Sequence, residues 1–243
     1  MAQARIDNEP GFVLHTWPYR ETSLVVEIFS RQHGRVALIA RGARRPRSAM
    51  RGQIQPFTPL LLSWFGKNDV RTLHAAEWQG GLAPLVGLPL MCGFYLNELL
   101  LKLMARDDAH ENLFDYYRAT LTELSQASDL ERILRRFEKH LLSEIGYAAT
   151  FHEEAETARP VQPGLQYVFV PERGAYPDGS SRISGTSVSG RTLLDLDQDK
   201  LDSPATRAEA KLLMRALINH HLGNKPLYTR QMLKELTEPK NRS

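Results

Sequence analysis

The chain changes its hydrophobic rhythm once, near residue 82. Up to that point apolar residues come in short runs rich in β-branched and aromatic types: GFVLHTWPY, TSLVVEIFS, RVALIA, FTPLLLSWF and VRTLHAA. Runs of this kind predict strands. RQHG separates the second from the third, with Gly34 where a turn tolerates positive φ. GKND joins the fourth to the fifth. Five short strands with one long connection, between the third and fourth, predict a small closed barrel. The OB-fold is the five-stranded version, and an SH3-like barrel fits the same pattern.

Beyond residue 82 the period becomes helical. LPLMCGFYLNELLLKLMA is apolar nearly all round, the mark of a central helix covered on most sides. HENLFDYYRATLTELSQ spaces Leu113, Phe114, Tyr117, Leu121 and Leu124 by threes and fours, an amphipathic helix. Asp129 can cap a third helix that ends near Gly146, with an apolar stripe of Leu130, Ile133, Leu134, Phe137, Leu141 and Ile145. Residues 147–164 have little periodicity and read as a loop. LQYVFVPERGAYP reads as a hairpin turning at Arg173-Gly174, and a Ser/Gly-rich piece, SSRISGTSVSG, follows. Ser203-Pro204 opens the last strong helix, a capping hydroxyl followed by proline at the first helical position. That helix stops at Gly223, and YTRQMLKEL gives a short final helix before a polar tail. The expected class is α+β. An N-terminal five-stranded OB-fold barrel spans 1–80, and a helical domain spans 81–243 with a loop and β-hairpin insert at 147–190.

Charge sharpens this division. The net charge is only +3, yet residues 1–80 hold 11 Lys+Arg against 6 Asp+Glu, and the rest hold 20 against 22. A basic first third on a nearly neutral body suggests a local surface for a polyanion. Its centre is ARGARRPRSAMRG, residues 40–52, with Arg41, Arg44, Arg45, Arg47 and Arg51 and no carboxylate. A passive solvated loop is the bland alternative. Against it stand the single sign of charge, the use of arginine, whose planar fork suits phosphate, and the position between strands of a small barrel. Arg35, Lys67 and Arg71 extend the candidate DNA-binding set. If three to five of these cations neutralise phosphates, the single-strand salt slope is about −2 to −3.5, at roughly −0.7 per contact. Of the nearby rings, Phe29 and Phe57 read as core. Trp17, Tyr19, Trp64 and Phe65 compete for one stacking role, Trp64 and Phe65 facing opposite sides of their strand. On the third helix, at about 100° per residue, Arg132, Arg135, Arg136 and Lys139 share a sector opposite the apolar stripe. This is either the ordinary polar back of a helix or a dock for an acidic peptide or a continuing DNA strand.

Other chemistry is thin. FHEEAE begins like a zincin, but Glu156 stands where the second histidine belongs. GTSVSG has Ser189 in place of the second glycine of a nucleophile elbow. Gly66-Lys67 lacks the upstream glycine of a P-loop, and Asn68 replaces its Ser/Thr. His220-His221 reads as a helix end rather than a metal pair. Cys92 is the only cysteine, so no intrachain disulfide and no multi-cysteine zinc site can form. The opening residues lack a secretory apolar core, and the most apolar segment is interrupted by Asn97, Glu98 and Lys102. A non-enzymatic cytoplasmic protein without membrane contact is expected.

The stretches GFVLHTWPYRETSL, GRVALIARGARRPRSAMRGQIQPFTPLLLSW, GFYLNELLLKL, LRRFEKHLLSEIGY and HLGNKPLYTRQML, in that order, resemble the RecO family of bacterial recombination mediators nearly end to end. The resemblance implies an N-terminal OB-fold and a helical C-terminal domain. It implies binding of single- and double-stranded DNA and annealing of complementary strands. It also implies action with RecR to place RecA on DNA coated by single-strand-binding protein. The barrel arginines would then be the DNA surface, and Arg135 and Arg136, flanked by Arg132 and Lys139, would meet the acidic C-terminal tail of the coating protein. Many members carry a four-cysteine zinc module that this chain lacks, which places it with a metal-free branch. No cofactor is expected. An RNA-binding OB module in ribosome or tRNA biology, and a scaffold binding an acidic partner, are the alternative readings.

Overall fold

A computed structural model describes residues 5–126, 129–179, 183–223 and 225–237. Part of the Ser/Gly-rich piece, 180–182, and the polar tail after 237 lie outside the described residues. The chain forms two compact units, 1–127 with 227–243, and 128–226.

In the first unit the five expected strands form: β1 (Arg5–Tyr19), β2 (Ser23–Ser30), β3 (Gly34–Ala40), β4 (Leu60–Phe65) and β5 (Val70–Trp78). They close into a barrel in the order β1-β2-β3-β5-β4, antiparallel throughout except for β3 against β5. This is the OB-fold, and closure leaves no free sheet edge. The alternation in the sequence explains the filling. Val26, Ile28, Val36, Leu38, Leu60, Leu62 and Trp64 point inward and are buried. Gly34 shows why the second turn carries glycine. Its φ is +63°, and a Cβ there would collide with the backbone of Asp108.

The outer face near that turn is covered by helices α2 (Leu88–Leu103) and α3 (Glu111–Gln126). Phe12 and Phe29 pack on Phe114 and Tyr117 at ring separations of 5.3–5.9 Å. β1 is bulged between Val13 and His15, which strains the ladder locally. Asn97 of α2 donates to the Leu14 carbonyl (2.9 Å) and to that of Val13, and its own Oδ1 accepts from the Tyr117 hydroxyl (2.5 Å). A buried bulge carbonyl needs such a partner. The final helix, α7 (Tyr228–Thr237), belongs to this unit too. Its first amides, Tyr228 N–H and Thr229 N–H, donate to the Glu98 carboxylate at 2.8 and 2.9 Å, an anion at a helix N-terminus.

The second unit holds α4 (Leu130–Glu144), a sheet of β6 (Gln166–Val170), β7 (Gly174–Pro177) and β8 (Thr186–Ser189), then α5 (Gly190–Asp197) and α6 (Pro204–His221). Asp129 and Ser203 cap α4 and α6 as their sequences suggest. The hairpin expected in the insert is β6–β7. It gains a third strand, β8, drawn from the Ser/Gly-rich piece and paired to β6, so the sheet runs β7-β6-β8. Four residues with one buried side chain, Val188, give too short an alternation to signal a strand.

Candidate nucleic-acid interface

The connection from β3 to β4 is built so that its arginines face out. Ala43 and Ile54 are buried among the barrel residues, with Met50 packed against them. The short helix α1 (Met50–Gln53) sits between these anchors. Backbone bonds Arg45 N–H to Gly42 O, Ser48 N–H to Arg45 O and Arg51 N–H to Ser48 O tighten the loop into successive turns. Arg41, Arg44, Arg45, Arg47 and Arg51 are all exposed. None of the five has a carboxylate partner among the described residues. Arg44 instead ties the loop to the β1–β2 turn. Its amide donates to Thr22 O (2.9 Å) and its guanidinium to the carbonyls of Arg20 and Glu21 (3.4 and 3.3 Å).

That turn adds a cation that sequence reasoning missed. Arg20 is exposed, has φ of +52°, and lies over the Tyr19 ring at 5.2 Å. Its only sequence signal is its place in the turn YRET. Next to it runs an outward-facing row across three strands, Trp17 opposite Val25 and Val25 opposite Ile39. Trp17 is 42% exposed, with the His15 ring against it at 4.5 Å, and Arg41 follows Ile39 by two residues. An exposed indole beside a row of unmatched guanidinium groups offers base stacking and phosphate contact at one place. Trp64, by contrast, is buried, and Phe65 is half-buried. Trp78, which the sequence reading passed over, is 67% exposed at the end of β5.

The remaining barrel cations do not join this surface. Pairing of Ala37 with Val70 directs the turn that carries Lys67 toward the start of β3, whereas the arginine loop leaves its end. Lys67 is exposed. Arg71 is held by Asp107 at 2.7 Å. Arg35 donates to Leu101 O and lies near Glu27, which Arg106 pairs. Burial pulls the Arg35 guanidinium below its ordinary pKa, with Glu27 opposing that shift and Arg106 adding to it.

On α4 of the second unit, the predicted cations are engaged rather than free. Arg135 is buried and pairs with Glu138 at 2.5 Å. Arg132 reaches Asp202 at 3.3 Å, and Lys139 reaches Asp199 at 2.5 Å and donates to the carbonyls of Leu196 and Asp197 at the end of α5. Arg136 is half-buried.

A closed OB barrel, with an anchored arginine loop that meets no carboxylate among the described residues and an exposed tryptophan beside it, defines the class of protein: an OB-fold protein with a basic surface suited to a polyanion. Comparison with known proteins narrows the class. A family model described as Recombination protein O N terminal matches residues 1–81, and one described as Recombination protein O C terminal matches 87–231. DNA repair protein RecO of Thiobacillus denitrificans is 64% identical, covering 98% of this chain and 95% of its own. DNA repair protein RecO of Nitrosospira multiformis is 51% identical over 96% of this chain and 97% of its own, and that of Aromatoleum aromaticum is 53% identical over 96% and 98%. The chain belongs to the RecO family of DNA repair proteins. No helix among the described residues is long and apolar enough to cross a membrane.

Proposed function

We propose that this protein is a recombination mediator that binds single- and double-stranded DNA on its barrel, anneals complementary strands, and helps RecR load RecA onto DNA coated by single-strand-binding protein. The observation that carries the DNA-binding part is the arginine loop, ordered from within by Ala43 and Ile54 and meeting no carboxylate among the described residues. Guanidinium groups that neutralise phosphates on two strands lower the repulsion between complements, so annealing needs no covalent chemistry and no catalytic residue. The protein works in the cytoplasm.

The primary DNA track comprises Arg41, Arg44, Arg45, Arg47 and Arg51, with Arg20 and Trp17 beside them. Arg35, Lys67 and Arg71 form a separate second contact, for which the pairings of Arg35 and Arg71 must open. In the other unit Arg132, Arg135, Arg136 and Lys139 receive the acidic tail of the coating protein, the tail's carboxylates taking the places of Asp199 and Asp202. Capture of that tail raises the effective concentration of the barrel at coated DNA. The expected division near residue 81 marks the end of the barrel, and the partner-binding residues of α4 lie in the compact unit 128–226. The test is fluorescence anisotropy with labelled oligo-dT across a salt series, run beside an annealing assay on coated complementary strands. A salt slope of about −2 to −3.5 with accelerated annealing is the expected result. A slope near zero, or structured RNA strongly preferred to oligo-dT, would overturn the reading.

A further inference from the structure

Three side chains with metal-ligating atoms converge in the second unit, none of them among the candidate interface residues described above. We propose that Glu172, His220 and His221 form a binding site for a divalent ion of borderline softness, for which Zn2+ is the natural probe. Their ligand atoms all lie within 4.8 Å of one another, and His220 Nε2 and Glu172 Oε1 are 3.2 Å apart. A tetrahedral ion with bonds of about 2.0–2.1 Å sets its donors roughly 3.3–3.5 Å apart. The His220–Glu172 pair lies close to that spacing, and the 4.8 Å bound on the whole set leaves the third donor an adjustment on the order of an ångström.

The backbone prepares this convergence from two segments 48 residues apart. His220 and His221 are the last residues of α6. Glu172 stands in the turn between β6 and β7 with φ of +63°, a conformation uncommon for a residue with a Cβ. That turn brings its carboxylate to the helix end. His221 is oriented by its neighbour, its ring stacking on Tyr147 at 3.9 Å and 22°.

The donor set decides the ion. Two imidazoles and one carboxylate suit Zn2+ and its neighbours, whereas Mg2+ and Ca2+ take oxygen shells. Three protein ligands leave a fourth position for water or an exogenous donor. His221 also lines a cavity of about 260 Å3 whose wall includes Thr150, Phe169, Arg173 and Leu217, so that position has room. The sequence offered only two of these three ligands. His220-His221 stand together in the chain, but nothing local marks Glu172 as their partner. The bound ion would tie the hairpin turn to the end of α6 in a unit that has no cysteine to cross-link it.

The test is calorimetric titration of the metal-stripped full chain with Zn2+, in parallel with Glu172→Gln, His220→Gln and the double variant His220→Gln/His221→Gln. One site per chain is expected, weakened at least ~10-fold in each single variant and abolished in the double one. Zn2+ should raise the melting temperature of the wild type and leave that of the double variant unchanged. Glu172 and His220 are exposed, so the single variants should melt with the wild type when metal is absent. The double variant loses the stack on Tyr147 and is compared with its own metal-free melt. Failure of the wild type to bind Zn2+ in the micromolar range, or equal binding by the double variant, would reduce the cluster to a surface ion pair and overturn the proposal.

Discussion

The arginine loop and the basic face of α4 look alike as strings of letters. RGARRPR and ERILRRFEK each crowd cations into a few residues, and each is a reasonable place to seek an anion. In three dimensions they differ in kind. The five loop arginines are exposed and meet no carboxylate among the described residues. On α4, Arg132 and Lys139 are matched by Asp202 and Asp199, and Arg135 by the buried Glu138. The lesson is that a charge run reports a binding surface only after distant acids have been counted. A loop stays unmatched because its anchors are apolar and little else reaches its tips. A helix in a bundle lies against other segments, and those segments bring their own charges.

The largest test of this contrast is the triple variant Arg44→Ala/Arg45→Ala/Arg47→Ala. Removing three unmatched cations should weaken oligo-dT binding roughly 30- to 100-fold at low salt and make the salt slope shallower by about 2. The loop's anchors, Ala43 and Ile54, are untouched, so thermal stability should change little. Unchanged affinity would show that unmatched charge is not sufficient for phosphate binding.

Next in size is a matched anion within the first unit. Burial pushes the Glu98 carboxyl up, but hydrogen bonds from Lys102, from the Thr229 hydroxyl and amide, and from the Tyr228 amide outweigh it and hold the pKa below its ordinary 4.5. A carboxyl depressed in the folded state contributes stability that is fully present above its unfolded value. That contribution is lost as pH falls through the lower folded value. Docking of α7 should therefore be constant from neutral pH down to about 5 and weaken only below 4.5. Glu98→Gln should cost about 1–2 kcal/mol at neutral pH, and the gap to wild type should shrink in acid. Thermal melts across pH measure both effects.

Much of this architecture was legible in the chain. The barrel followed from period-2 runs punctuated by Gly34 and by GKND, and the caps Asp129 and Ser203 could be read from single residues. What escaped depends on sequence-distant pairing. β8 is too short to show alternation, and the attachment of α7 to the first unit rests on Glu98, about 130 residues away. The candidate interface divides in the same way. The arginine loop announced itself, whereas Arg20 joined it only because the β1–β2 turn folds beside the loop. Trp17 could be selected over Trp64 only once the inward and outward faces of the barrel were known.

A smaller effect separates charge from stacking at the interface. Trp17→Ala should weaken oligo-dT binding about 10-fold, with the salt slope unchanged because no cation is lost. Trp64→Ala offers no such control. Trp64 fills the barrel interior, and its removal should cost about 3–5 kcal/mol of stability. A Trp17 variant that binds normally would leave the interface purely electrostatic.

The smallest expected effect bears most directly on α4. Asp199→Asn and Asp202→Asn remove the half-buried and the exposed carboxylate that match Lys139 and Arg132 without disturbing the buried Arg135–Glu138 pair. Partly exposed pairs of this kind contribute little, so the double variant should lose no more than about 1 kcal/mol. If the helix face serves only to hold the unit together, an acidic peptide will bind neither protein. If it receives an acidic tail by exchange of carboxylates, the variant has already lost the competing internal anions. Peptide affinity should then rise severalfold, and by more at low salt than at high. Titration of a labelled acidic peptide into both proteins at two salt concentrations distinguishes these cases. The direction of the change decides whether matched cations can still recognise a partner.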